Sequence, residues 1–257
     1  MSVATTRTER DTFTARAHAR AVRRVVRSVA GSSMIVGAAF WVIFTLVAVA
    51  VPLIVDRAGN DMRNGVLVGA EYSARWFAFT LAIIMVATIT TNHVAAGGTR
   101  RALFAGSVVS SVVVAVLYGA ANVAALLIER AVFGALGWTW HAPIDVVDPG
   151  VGWFVHNGLS EAVVTVGYVL VGVAVATAYQ THGAMRGTVL LVPSLAILFV
   201  LELATGTGSG DDVLGRLRPD TGSTGDLLWL AGSVVAVLLA ALWARYHLSR
   251  LRLRPTR

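Results

Sequence analysis

Six blocks of the sequence are almost free of charge, and each approaches or exceeds the roughly 20 helical residues that cross a hydrocarbon core. They are residues 34–55, 76–92, 102–128, 162–179, 187–204 and 227–244. Their apolar residues surround the helix axis, whereas a helix lying on a soluble core is striped on one side. Only 14% of the 257 residues are charged, against roughly 25% in a soluble domain. The pattern predicts an all-α membrane protein with six transmembrane helices, residues 34–244. A cytoplasmic tail, 1–33, precedes them and a basic cytoplasmic tail, 245–257, follows. The third block is long enough, about 40 Å as a helix, to require tilt or protrusion. The fifth is short and holds Pro193 and Glu202. Pro193 removes a backbone hydrogen bond, which suits either a moving kink or a static bend.

The small-residue triplet Ala48, Val49, Ala50 resembles a signal-peptide cleavage site. It follows a long polar leader and lies inside a continuing apolar run, so the first block reads as a retained span.

Arginine placement orients the chain. All 21 basic residues are Arg, a coding bias of the kind a GC-rich genome leaves. With alternating spans, one side collects Arg7, Arg10, Arg16, Arg20, Arg23, Arg24, Arg27, Arg100, Arg101, Arg186, Arg245, Arg250, Arg252, Arg254 and Arg257. The other side holds Arg57, Arg63, Arg130, Arg216 and Arg218, with Arg75 at a boundary. The positive-inside rule then puts both termini in the cytoplasm. Trp76, Trp138, Trp140, Trp153 and Trp229 fall near the outer boundary, where indoles settle. Most acids also lie outside: Asp56, Asp61, Glu71, Asp145, Asp148, Asp211, Asp212, Asp220 and Asp226. The net charge of +7 is thereby accounted for as membrane anchoring, without nucleic acid.

Before the first span, Arg16, Arg20, Arg23, Arg24 and Arg27 occupy one helical sector and Val22, Val25, Val26 and Val29 the opposite one. The expectation is an interfacial helix, valines toward acyl chains and Arg toward headgroups or a protein. It serves either as a topology anchor or as a docking element. Between spans two and three, Gly97 and Gly98 permit a sharp turn, and Thr99 stands where an N-cap belongs. Arg100 and Arg101 then oppose the dipole of the helix they begin. That conflict calls for an acidic partner or a lipid phosphate.

The run Ala96, Gly97, Gly98, Thr99, Arg100, Arg101, with Phe104 and Gly106 following, resembles the cytoplasmic turn of small ABC-type exporter permeases. These belong to the drug, lantibiotic and polysaccharide exporter superfamily. The layout is similar too: a leading amphipathic helix, six spans, and small residues along a long third span (Gly106, Ser110, Ser111, Gly119, Ala120, Ala121). The resemblance implies a multi-pass subunit of the bacterial cytoplasmic membrane that pairs with a second permease subunit, identical or not. It also implies a separate nucleotide-binding ATPase, contacted through Arg23, Arg24, Arg27, Gly97, Thr99, Arg100 and Arg101, with ATP and Mg held by that partner.

The residues themselves supply little chemistry. There is no lysine, hence no phosphate-binding Gly-x-x-x-x-Gly-Lys loop. Residues 206–210 are glycine-rich but precede two aspartates that repel phosphate. Without cysteine there are no disulfides or thiolate sites. An intramembrane hydrolase would need an activated nucleophile; Ser160 beside Glu161 is the nearest pairing, and no His falls inside a block. His141, Asp145, Asp148 and His156 are metal-ligand types, but spread along a loop they read as solvated side chains. No catalytic, cofactor or metal site is expected. Arg75, Glu161 and Glu202 share a depth near the outer boundary. They either snorkel separately to the interface or form an ion-paired cluster closing a pathway. Two alternatives to an exporter subunit remain, an ion-coupled secondary carrier and a non-transporting scaffold.

Overall fold

The computed structural model describes residues 2–62, 64–142, 146–147, 149–205 and 223–251. Among these residues the elements are helices, one small hairpin and an isolated parallel bridge between Asn64 and His141. Helix α1 is Ser2–Arg57, α2 is Val66–Ala95 and α3 is Arg100–Ala135. Strands β1 (His141–Ala142) and β2 (Val146–Val147) pair antiparallel. Then come α4 (Val151–His182), α5 (Ala184–Val189), α6 (Leu191–Thr205) and α7 (Ser223–Ser249). Six helices, with α5 and α6 counted as one, are long and apolar enough to span a membrane. The glycine-rich stretch 206–210 and Arg216 and Arg218 lie outside the described residues, as do Asp145 and Asp148.

Neighbouring contacts fix the directions of the helices. Val25 packs on Gly106 and Gly37 on Tyr118; the two pairs have equal sequence separation, so α1 and α3 run parallel. Asn122 bonds Asn157 at 2.8 Å and Arg130 bonds the Pro149 carbonyl at 3.2 Å, which makes α3 and α4 antiparallel. Gln180 bonds the Ala87 carbonyl while Arg75 bonds Glu161, so α2 and α4 run parallel. Trp243 with Ser194 and Ser233 with Ala204 set α7 antiparallel to α6. The helices therefore alternate as an up-and-down bundle. Its central element is α4, which touches α2, α3, α6 and α7 and has 78% of its most apolar window buried. Gly119 and Gly158 let α3 and α4 meet closely, since a Cβ on Gly119 would fall on the Gly158 carbonyl oxygen.

Four details differ from the sequence reading. Residues 16–29 are not a separate surface helix but the same uninterrupted helix as the first span, 56 residues in all. Two of the four valines do not face lipid: Val25 and Val29 are buried with Leu103, Ala244 and Leu248, while Val22 and Val26 are half-buried. Gly106 offers no side chain, so Val25 rests directly on the backbone of α3. The second and fourth helices begin well before residues 76 and 162, because Arg75 and Glu161 are interior to their helices. In the fifth span the helix is interrupted at Leu190, three residues before Pro193. Proline lacks the N–H and crowds the carbonyl four residues back, here that of Val189, the last residue of α5. The interruption places Pro193 in the first turn of α6, where a missing N–H costs nothing.

Candidate functional site

Two constellations stand out, one between helices inside the bundle and one at the end where α2 turns into α3. The first gathers Arg75 from α2, Glu161 and Tyr168 from α4, and Glu202 from α6. Glu161 and Tyr168 are seven residues apart, hence on one face of α4. Arg75 Nε donates to Glu161 Oε2 at 2.9 Å, and its Nη2 lies 2.8 Å from the same oxygen. Its Nη1 is 3.8 Å from Glu202 Oε1, an oxygen that also accepts from the Tyr168 hydroxyl at 2.5 Å. The guanidinium sits 5.3 Å from the ring centroid of Tyr72, one turn earlier. Arg75 and Glu161 are each 1% exposed and Glu202 9%. The structure thus joins these three charges inside the protein rather than sending each to the interface. Among the described residues, one guanidinium and two carboxylates meet here. Burying unlike charges is tolerable only when each has partners. Glu161 is paired with Arg75, and Ser160 Oγ has no hydrogen-bond partner among the described residues.

The second constellation begins at the end of α2. Gly97 has φ +74°, its N–H donates to the Val94 carbonyl at 3.0 Å, and the Gly98 N–H donates to that of His93 at 2.8 Å. These two bonds form the left-handed glycine terminator that satisfies the last carbonyls of a helix. His93 is buried; its ring covers Gly98, where any Cβ would strike it, and its Nε2 is 3.1 Å from the Thr99 carbonyl oxygen. Thr99 is the N-cap of α3, its hydroxyl accepting from the Ala102 N–H at 3.2 Å. The expected partner for Arg100 comes from the chain itself: its Nη1 donates to the Ser249 carbonyl at 3.1 Å, the negative end of α7. No acid or phosphate is required for it. Arg101 is exposed and has no partner among the described residues. Arg23, Arg24 and Arg27 are exposed on the α1 segment whose Val25 rests on Gly106, so they project from the same end of the bundle. Sequence marked Gly97 and Gly98 only as a turn; the packing of the His93 ring on Gly98 and the part played by Ser249 were not visible in it.

At the opposite end, Glu129 of α3 is fully buried. It accepts from the Leu67 N–H at 3.0 Å and from Trp140 Nε1 at 3.1 Å. An apolar-block reading treats Glu129 as the end of a span; here it caps α2 across the bundle. Trp140 is buried too, enclosed by Phe154 and Trp153. His247, outside the sixth block, is a fully buried residue of α7 packed against Trp243 and His182. His156 belongs to α4 and His141 to β1, and no group of three metal-ligating side chains forms among the described residues.

Six alternating apolar helices, the buried α4 among them, with an interior ion-paired cluster, define a multi-pass α-helical membrane protein. Comparison with protein-family models, curated proteins and solved structures finds no match to the chain.

Proposed function

We propose that the chain is the membrane-spanning permease subunit of an ATP-driven exporter in a bacterial cytoplasmic membrane. A separate nucleotide-binding subunit energises it, and a second permease subunit completes the pathway. The observation that carries this reading is the 93–101 turn. It is locked by its own hydrogen bonds and by His93, and Arg100 ties it to the end of α7. A push on such a turn moves α2, α3 and α7 together instead of being absorbed by the loop. Arg101 and the exposed Arg23, Arg24 and Arg27 supply uncommitted positive charge for an acidic face of the ATPase. The Arg asymmetry supports a cytoplasmic location for this end.

A second reading, an ion-coupled carrier, draws on the two buried carboxylates gathered at Arg75. The two are separated by purifying the chain in mild detergent from its own cells and reconstituting it in vesicles. An exporter subunit co-purifies with a nucleotide-binding chain, and cargo moves only with ATP. Cargo movement by the isolated chain under a pH or sodium gradient would sink the exporter reading.

A further inference from the structure

Between α1 and α3 lies a cavity of about 310 Å³ lined by Gly37, Trp41, Val42, Leu117 and Tyr118 among others. That is the lower end of the range, roughly 300–1,000 Å³, that accepts small molecules. Trp41 and Tyr118 are 6% and 3% exposed and meet edge to face at 5.8 Å. Both sit in the hydrophobic core of the bundle, yet Trp41 Nε1 and the Tyr118 hydroxyl have no hydrogen-bond partner among the described residues. Phenylalanine at either position would pack as well without the polar atom. Inside a membrane no water satisfies such groups, and leaving them unpaired is unfavourable. The Tyr118 hydroxyl is accommodated because α1 has glycine beside it: a Cβ on Gly37 would lie 2.9 Å from that oxygen. The rim is formed by Met34, Val42 and Leu117, which are exposed apolar side chains on the outer surface of the bundle. In a six-span membrane protein, that surface is the one acyl chains cover.

We propose that this cavity is a binding site for an apolar molecule that enters sideways from the bilayer and carries a hydrogen-bond acceptor such as a carbonyl or ether oxygen. The acceptor takes the Tyr118 hydroxyl and the Trp41 indole N–H as donors, and the apolar body fills the space toward Met34 and Leu117. The Tyr118 and Ser33 hydroxyls can accept as well as donate, the Trp41 indole can only donate, and no charged side chain lines the site, so anions and cations are not selected. The site does not depend on how, or whether, the chain transports.

Benzophenone is a suitable probe: an apolar diaryl ketone with one acceptor that bonds covalently to nearby C–H groups on illumination. With the whole chain in lipid nanodiscs, labelling should be saturable and map to residues lining the cavity, Met34 and Leu117 foremost. Tyr118→Phe combined with Trp41→Phe should raise the half-saturating concentration about five-fold or more, the scale of losing hydrogen bonds. Diphenylmethane, the same shape without the oxygen, should compete more weakly than unlabelled ketone by a similar factor. Ala38→Phe, on an exposed lining position, fills the cavity without touching either donor and should abolish the saturable adducts, which controls for misfolding. Non-saturable labelling spread over all lipid-facing helices would overturn the proposal. Equal competition by diphenylmethane, or unchanged saturation in the double variant, would do the same.

Discussion

Arg75 and Glu161 meet through a two-nitrogen contact, Nε and Nη2 both within 2.9 Å of one carboxylate oxygen, in the interior of the helix bundle. Each residue interrupts an apolar stretch, and each is tolerated because the other stands opposite. Removing one partner of a buried pair leaves an uncompensated charge, at a cost of about 3–5 kcal/mol. Arg75→Glu and Glu161→Arg should each lower stability in detergent by that order. The exchanged pair, carrying both changes, should recover part of the loss. Unfolding by denaturing detergent, read as a double-mutant cycle, checks this; strictly additive losses would mean the two side chains are not coupled.

Glu129 and Gly65 act as a unit at the start of α2. Glu129→Ala leaves the Leu67 amide and the Trp140 indole unpaired in a buried place, and should cost about 2–3 kcal/mol. Gly65→Ala should also destabilise, since its Cβ would fall on the Glu129 carboxylate. Once Glu129 is already Ala, the same change at Gly65 should be nearly neutral. A full second loss in that background would show that the clash is not the reason for glycine.

Topology is open to direct measurement because the chain has no cysteine. Ala96 is exposed in the turn after α2, and Ala58 is exposed just after α1. From the Arg asymmetry, Ala96→Cys should resist an impermeant thiol reagent in intact cells and react after lysis. Ala58→Cys should react in intact cells. The reverse pattern would invert the assignment of inside and outside. Gly98 is a poor choice for such a probe, since the His93 ring occupies the space of its side chain.

The local parts of this architecture were legible and the long-range parts were not. Six apolar helices follow from hydropathy, and the Thr99 cap with its preceding glycine turn follows from side-chain chemistry within a few residues. The starts of α2 and α4 were missed because Arg75 and Glu161 look like the edges of spans. A charge neutralised from another helix does not end a helix, and single-segment hydropathy carries no trace of that partner. The same limit explains Val25 and Val29: an apolar face looks alike whether lipid or a neighbouring helix covers it. For Arg100 the conflict with the dipole of α3 was visible, but not its resolution by Ser249, 149 residues away. Pro193 did mark a weak point, and the helix gives way one turn upstream, where proline withdraws its hydrogen bond.

The last prediction divides two neighbouring arginines by their partners. Arg100 is engaged with the end of α7, whereas Arg101 is exposed and has no partner among the described residues. Arg100→Glu places a carboxylate against the Ser249 carbonyl, and at an exposed helix terminus this should cost about 0.3–1 kcal/mol. Any transport defect in that variant therefore mixes structural loss with loss of coupling. Arg101→Glu should leave stability within about 0.5 kcal/mol of the parent, as surface changes usually do. Under the exporter reading it should still weaken capture of the nucleotide-binding subunit and lower ATP-driven transport, because reversing a charge at a docking face replaces attraction with repulsion. The Ala96→Cys accessibility assay, repeated in the same variant, guards against an inverted span. A correctly inserted, stable Arg101→Glu chain that transports at the parental rate would remove this turn from energy coupling and leave the ion-coupled carrier as the stronger account.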